Sequence, residues 1–457
     1  MRQGMMCTLA AAGLAISGLA VPAAAYDVEI GWIEISGALP DAPGPLDWLN
    51  PEAHTFSDLL AAFETAAESD DIAGVMVRLK DAQLGFTQIE ELTRAMELVR
   101  DSGKKVHVLA ETYTTAEFLM AAAADEALIQ RGGGVYLSGM HMEEMYLADT
   151  MDWIGVKPQL IQVGDYKGAN EAMMRSEPSP EWDRNINRLL DGLYSNLRSS
   201  LRGSGDLTDA ELDEAMADLW MANGEDAVEH GLIDTVIDLP EITAHFEDMY
   251  GGEVEFDMDL LVARSGIDTS DPFALFRILS SEPDHGPDGT AIAVLHVNGA
   301  IVDGDSTPGG LFGGEGTVGS RTIRNAIEEI LVDDDVEGVV VRIDSPGGSA
   351  TASEVMWQGL QRLGNQKPVW VSVGSMAASG GYYTAVGGDK IYVNPSSIVG
   401  SIGVVGGKLT MDEAYDHLKL NVHTRSRGPR SAMFASNQPW GESEIAEVRS
   451  KMTDVYE

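Results

Sequence analysis

The sequence predicts two α/β units in tandem, each a largely parallel sheet layered with helices. Three observations carry this. The chain repeats itself at an offset of 264 residues, with IAGVMVRLKDAQLG (72–85) against VEGVVVRIDSPGGS (336–349) and Asp125 against Asp389. Within each copy, short β-branched runs alternate with helical periodicity, the pattern of βα units joined by right-handed crossovers. Finally, 457 residues, 44% of them hydrophobic, are enough chain for two cores.

Residues 1–25 hold one basic residue, Arg2, then an apolar run from Met5 to Val21, then Ala23-x-Ala25. That is the layout of a secretory signal cleaved before Tyr26. The run is short for a membrane span, and retention as an N-terminal anchor is the other reading. Both place the body of the protein outside the cytoplasm, in the periplasm or on the outer face of the membrane. Cys7, the single cysteine, lies in this segment, so the rest of the chain has no disulfide and no cysteine metal site. The first unit is expected over residues 26–251, a polar, turn-rich connector over 252–289, and the second unit over 290–457. At the repeat offset, a copy of the GLID element at 231–234 is expected near residue 495, so the second unit is read as shortened at its C-terminus.

The net charge of −43, from 73 acidic and 30 basic residues, is spread along the chain. Such a field disfavours nucleic acid and anionic lipid headgroups as partners. A saline habitat and an ordinary acidic soluble surface both account for it. With no HExxH and no Walker A signature, no cofactor is expected.

Chemistry concentrates in the second half. The run 369–373 reads as a buried strand, after which the side chains shrink through Gly374, Ser375, Ala377, Ala378, Ser379, Gly380 and Gly381. A strand that breaks into small residues before a helix brings N–H groups to a point where they can hold an anion. Ser379 is the candidate nucleophile, although the same stretch also serves as a tight packing turn. Upstream, Asp344-Ser-Pro-Gly347-Gly348 has the same design, and Ile398-Val-Gly-Ser401-Ile-Gly403 is a third small-residue turn. Asp344 is read as capping its turn, and Tyr382 and Tyr383 as core. The first half has lost these features: Ser379 falls on Thr115, Ser401 on Leu137, and Gly347-Gly348 on Gln83-Leu84. Conversely, Lys167 in VGDYKGANE falls on Ser431, so one half offers a serine and the other a lysine. No histidine is well placed as a base.

The turns DSPGG (344–348), AASGGYY (377–383) and GSIGV (400–404), together with VGDYKGANE (163–171), resemble signal peptide peptidase A in its long, two-repeat form. That family comprises membrane-associated serine–lysine peptidases of the crotonase-like and Clp-protease-like fold group. The resemblance implies Ser379 as nucleophile, Lys167 as general base and Ser401 as the residue that orients the lysine. It implies an oxyanion hole from the N–H groups around Gly347, Gly348 and Gly380. It further implies cleaved signal peptides and other unfolded, apolar-rich peptides as substrates. The implied assembly is a bowl-shaped homo-oligomer, with a tetramer among its candidate states. Lysine can act as a base only when neutral, and burial in a cleft between two units would favour that form. Two other readings remain in view. An acyl-CoA enzyme of the crotonase fold would need neither Lys167 nor export, and an inactive scaffold would bind peptides without turnover.

Overall fold

The computed structural model describes residues 28–42, 54–203, 207–261, 289–308 and 316–457. Residues 1–25, read above as a signal or anchor, and most of the expected connector lie outside the described residues.

The β-branched runs form strands in both halves. The first half contributes β1 (Val28–Ala38), β2 (Ile72–Gln83), β3 (Lys105–Thr114), β4 (Glu126–Tyr136), β5 (Lys157–Val163), β6 (Ala222–Asn223), β7 (Thr235–Ile237) and β8 (Val254–Asp257). Seven of these make one sheet in the order β6-β4-β3-β2-β1-β8, with β7 also on β4, and every pair is parallel except β6 with β4. The second half contributes β9 (Ala291–Asn298), β10 (Ala300–Val302), β11 (Thr317–Gly319), β12 (Val336–Ser345), β13 (Val369–Ala378), β14 (Lys390–Tyr392), β15 (Ile398–Gly400) and β16 (Val404–Thr410). Its parallel sheet runs β14-β13-β12-β9, with β15 on the far end of β13. The tandem α/β expectation is met, with one boundary moved. The connector drawn at 252–289 starts too early, because Val254–Asp257 adds to the first sheet beside β1.

Alternation along the strands explains the layering. Val75, Val77, Val106 and Val108 point to one face and are buried beneath helices Phe56–Glu68 and Phe86–Asp101. In the second unit Val339, Val341, Val369 and Val371 play this part under Met356, Leu360 and Leu363 of helix Ala350–Gly364. Each such side chain contributes roughly 1.5–3 kcal/mol by leaving water. The other face of the first sheet is closed by helix Ile242–Tyr250, whose Phe246 packs on His107 of β3. Beneath it Glu126 accepts from His107 Nδ1 and His245 Nε2, each at 2.8 Å, and the second ring nitrogen of His107 lies 2.9 Å from the Tyr250 hydroxyl. Burial pushes the Glu126 carboxyl up, but its bonds to His107 and the charges of both histidines outweigh burial and leave it below the ordinary value.

Two features join the halves. Helix Phe86–Asp101 lies along the second sheet, with Thr87 Oγ1 at 3.0 Å from Ser375 Oγ. Next to it Arg342 donates to Asp41 at 3.1 Å and to Glu91 at 2.8 Å, a seam in which all three side chains are nearly buried. Elsewhere β5 leaves the first sheet and pairs antiparallel with β16, from Val163 opposite Val404 to Lys157 opposite Thr410. Helix Glu442–Tyr456 covers that two-stranded ladder, burying Met452 against Ile161 and Trp440.

Candidate active site

The β5–β16 ladder decides where the lysine goes. β5 ends at Val163 and the chain turns at Gly164, where φ is 101° and a Cβ would lie 3.1 Å from the carbonyl of Ile402. Three residues later Lys167 is 5% exposed, and its Nζ donates to the Ser401 carbonyl at 2.5 Å and to Ser401 Oγ at 3.0 Å. Gly403 lets the two chains close, since a Cβ there would sit 2.9 Å from Lys167 Cβ. Lys167 makes no ion pair among the described residues, and burial alone holds its amine below the ordinary lysine value. Glu171, quoted in the lysine motif without a role, is buried and fixes the loop by accepting from the Ser179 N–H at 2.7 Å and from Ser179 Oγ at 2.6 Å.

Ser379 sits at the junction of β13 and helix Gly380–Ala385, with φ 53° and ψ −114°. A left-handed backbone at a non-glycine residue is strained and persists only where its surroundings impose it. Here its N–H is held by the Gly400 carbonyl at 2.9 Å, and its carbonyl accepts from the Tyr383 N–H at 2.9 Å. The strand runs five residues further than the expected 369–373, ending at Ala378. Asp344 bridges strands instead of capping its own turn, accepting from the N–H groups of Ser375 and Met376 at 3.1 Å each. Burial raises its carboxyl above the ordinary value, with the Ser375 N–H opposing. The helix after the DSPGG turn is capped by Ser349, whose Oγ accepts from the Ala352 N–H at 3.2 Å.

The glycine turn lies directly against Ser379. A Cβ on Gly347 would come within 2.8 Å of Ser379 Cβ and 2.5 Å of the Gly380 nitrogen. Of the three amides expected to face an oxyanion, that of Gly347 is already used, donating to Ser345 Oγ at 3.1 Å. The amides of Gly348 and Gly380 have no protein acceptor among the described residues. The two are neighbours, since a Cβ on Gly380 would lie 3.2 Å from the Gly348 nitrogen. Ser379 Oγ likewise has no hydrogen-bond partner among the described residues, and Lys167 bonds to Ser401 rather than to Ser379. Ser379, Gly348, Gly380 and Gly403 open onto one cavity of about 480 Å³ whose walls include Ile402, Val404 and Val405. Tyr382 and Tyr383 line it too, half-buried rather than in the core, because the short helix turns their rings toward the opening.

The equivalent junction in the first unit is filled. Thr114 caps helix Thr115–Ala121, and Glu117 accepts the Thr114 N–H at 2.8 Å, so a carboxylate of the chain itself occupies that helix start. At the repeat offset Glu117 corresponds to Gly381.

Residues 99–250 and 361–457 match peptidase family S49. The chain belongs to that family. It is 29% identical over 418 residues to Protease 4 of Haemophilus influenzae, covering 88% of this chain and 62% of that protein. It is 29% identical over 392 residues to Protease 4 of Salmonella typhi, covering 83% and 59%. To the chloroplastic serine protease SPPA of Arabidopsis thaliana it is 27% identical over 395 residues, covering 85% and 56%. The chain therefore spans about three-fifths of the length of these relatives. Among solved structures, an enoyl-CoA hydratase from Shewanella pealeana covers 42% of this chain and 62% of its own at 12% identity, with a TM-score of 0.26. That likeness is too loose to bear on activity. The membership bears out the resemblance stated from the four motifs.

Proposed function

We propose that this chain is a serine peptidase in which Ser379 is the nucleophile and Lys167 the general base. The observation that carries the reading is the Lys167 amine, buried without an acidic partner among the described residues, hydrogen-bonded to Ser401 and held four residues past the end of the strand that pairs next to the cavity of Ser379. A neutral amine takes the proton of Ser379 as its oxygen attacks the scissile carbonyl carbon. The same amine then hands the proton to the departing nitrogen, leaving an acyl-enzyme. A water that loses its proton to Lys167 hydrolyses the ester and restores Ser379. The Gly348 and Gly380 N–H groups serve the developing oxyanion, at roughly 3 kcal/mol of barrier per donor. Gly347 contributes shape instead of a donor. Ser401 orients the amine.

The apolar walls of the cavity suit unfolded, apolar-rich peptides, including cleaved signal peptides. We assign the chain to the exported compartment on the reading of residues 1–25, with membrane association through that segment if it is retained. No helix among the described residues is long and apolar enough to cross a membrane. The missing Ser379–Lys167 hydrogen bond keeps one alternative in play, a peptide-binding scaffold without turnover. Hydrolysis of a fluorogenic apolar peptide separates the two. Activity should fall by about 10³-fold or more in Ser379→Ala and in Lys167→Ala, both still folded. Survival in either variant would sink the dyad, and binding without cleavage by the wild type would favour the scaffold.

A further inference from the structure

The internal repeat leaves the first unit with a cavity of its own. At the offset of 264 residues, Ile402, Gly403, Val404 and Val455 beside Ser379 correspond to Ser138, Gly139, Met140 and Asp191. Those four residues line one cavity of about 450 Å³, close to the 480 Å³ around Ser379. Helix Pro180–Arg202 supplies one of its walls, as helix Glu442–Tyr456 does in the second unit. At Gly139, where φ is 81°, a Cβ would lie 3.9 Å from Tyr194 Cε2 of that helix. The part that carries chemistry at Ser379 is absent. Residues 115–117 stand at the positions of Ser379, Gly380 and Gly381 and do not line the cavity, and Glu117 fills that helix start. What persists is a pocket for a side chain.

The lining differs in kind from that of the second unit. Ser138 and Asp191 stand where Ile402 and Val455 stand, so two apolar walls have become polar. The apolar remainder includes Met140, Met142 and Met216 with the Tyr194 ring. Methionine is unbranched and polarizable, and surfaces built from it adapt to varied ligands. Two carboxylates reach the cavity, and only one is available. Arg198 donates to Asp213 and lies 5.6 Å from the centre of the Tyr194 ring. Asp191 is exposed and makes no hydrogen bond or ion pair among the described residues. A long basic side chain matches both halves of this lining, because its aliphatic stem packs on apolar surface while its charged head stays in water beside a carboxylate.

We propose that this cavity is a second, non-catalytic peptide site that holds a lysine or arginine side chain of an extended peptide. The stem lies against Met140, Met142 and Tyr194, and the head meets Asp191. The cavity of Ser379, apolar at the equivalent positions, takes apolar side chains instead. One chain thus has two chemically distinct peptide sites, one that cuts and one that only holds. The site draws on the proposed function only in that unfolded peptides are what the chain meets, and neither Ser379 nor Lys167 takes part in it.

The full chain carrying Ser379→Ala, which removes hydrolysis, tests it. The probe is a short fluorescein-labelled peptide of leucine and alanine with one lysine, bearing a benzophenone beside that lysine. Binding is read by anisotropy, and the cross-linked residues are mapped by mass spectrometry. Cross-links should fall on the chain around Ser138–Met142 and on the helices that carry Asp191 and Met216. Adding Asp191→Lys should weaken binding by about tenfold or more. Asp191 is exposed, so this variant should melt with its parent. Replacing the peptide's lysine by norleucine should weaken binding about as much, and Asp191→Lys should then have no further effect. Cross-links confined to the cavity of Ser379 overturn the proposal, as does an affinity indifferent to Asp191→Lys or to the norleucine exchange. A wild type that hydrolyses no peptide while Ser379→Ala still cross-links at Met142 sinks the peptidase reading and leaves this site standing. Hydrolysis by the wild type without that cross-link sinks only the site.

Discussion

Replacing Ser401 by Asp asks whether the site depends on a neutral lysine. Ser401 Oγ lies 3.0 Å from Lys167 Nζ, and the backbone there has φ 51°, a region that Asp tolerates better than most residues. A carboxylate about 4 Å from the ammonium, at an effective dielectric near 20, favours the charged amine by about 4 kcal/mol. The neutral fraction at a given pH then falls on the order of 10³-fold. Burial holds the wild-type amine below the ordinary lysine value, so the neutral form gains as pH rises. The acid limb of kcat/KM should therefore move to higher pH in Ser401→Asp. Ser401→Ala loses one hydrogen bond, about 1 kcal/mol, and should lower kcat/KM by about fivefold to tenfold without that alkaline displacement. The assay is kcat/KM for a fluorogenic apolar peptide from about pH 6 to about pH 10, the range over which a depressed lysine would titrate. A wild-type-like profile in Ser401→Asp would refute the reasoning.

Gly348→Ala places a Cβ 2.0 Å from the Ile301 carbonyl, and kcat is expected to fall on the order of 10²-fold or more with a lower melting temperature. Arg342→Met leaves Asp41 and Glu91 nearly buried without their cation, Glu91 keeping only the Asn394 Nδ2 donor at 2.7 Å, and the first unfolding transition should lose about 3–5 kcal/mol. Adding Asp41→Asn and Glu91→Gln should return part of that loss, which denaturant titration measures. For Glu126 the folded carboxyl lies below its unfolded value, so its stabilising contribution is present above the unfolded value and lost as pH falls through the folded one. Glu126→Gln should cost about 1–3 kcal/mol at neutral pH in a urea titration, and the difference should shrink in acid.

The tandem repeat was legible because β-branched runs and glycine turns keep one offset, and the Ser379 turn because small residues followed a strand. Several features were not legible, for identifiable reasons. The β5–β16 ladder pairs KPQLIQV with VVGGKLT across the two halves, and neither segment carries a local mark of its partner. Sequence names the glycines of a turn but not which amides are already used, so Gly347 was counted as a donor although Ser345 takes its N–H. Strand Val254–Asp257 does show alternation, with Val254 and Phe256 set between acids, but four residues after a glycine read as connector. Tyr382 and Tyr383 look like core by composition, and only the direction of a six-residue helix turns them to the cavity.

The hydrogen bond from Lys167 to Ser401 spans 234 residues of chain. At about 5–20 residues per second, roughly 10–50 s of synthesis separate the appearance of the two. Throughout that interval the lysine has no strand to dock on and stays a solvated cation. Under the proposed dyad the chain is inert while it is unfolded. Its chemistry would arise only when the last strand of the crossing is in place, so the order of synthesis would keep the chain from cleaving itself.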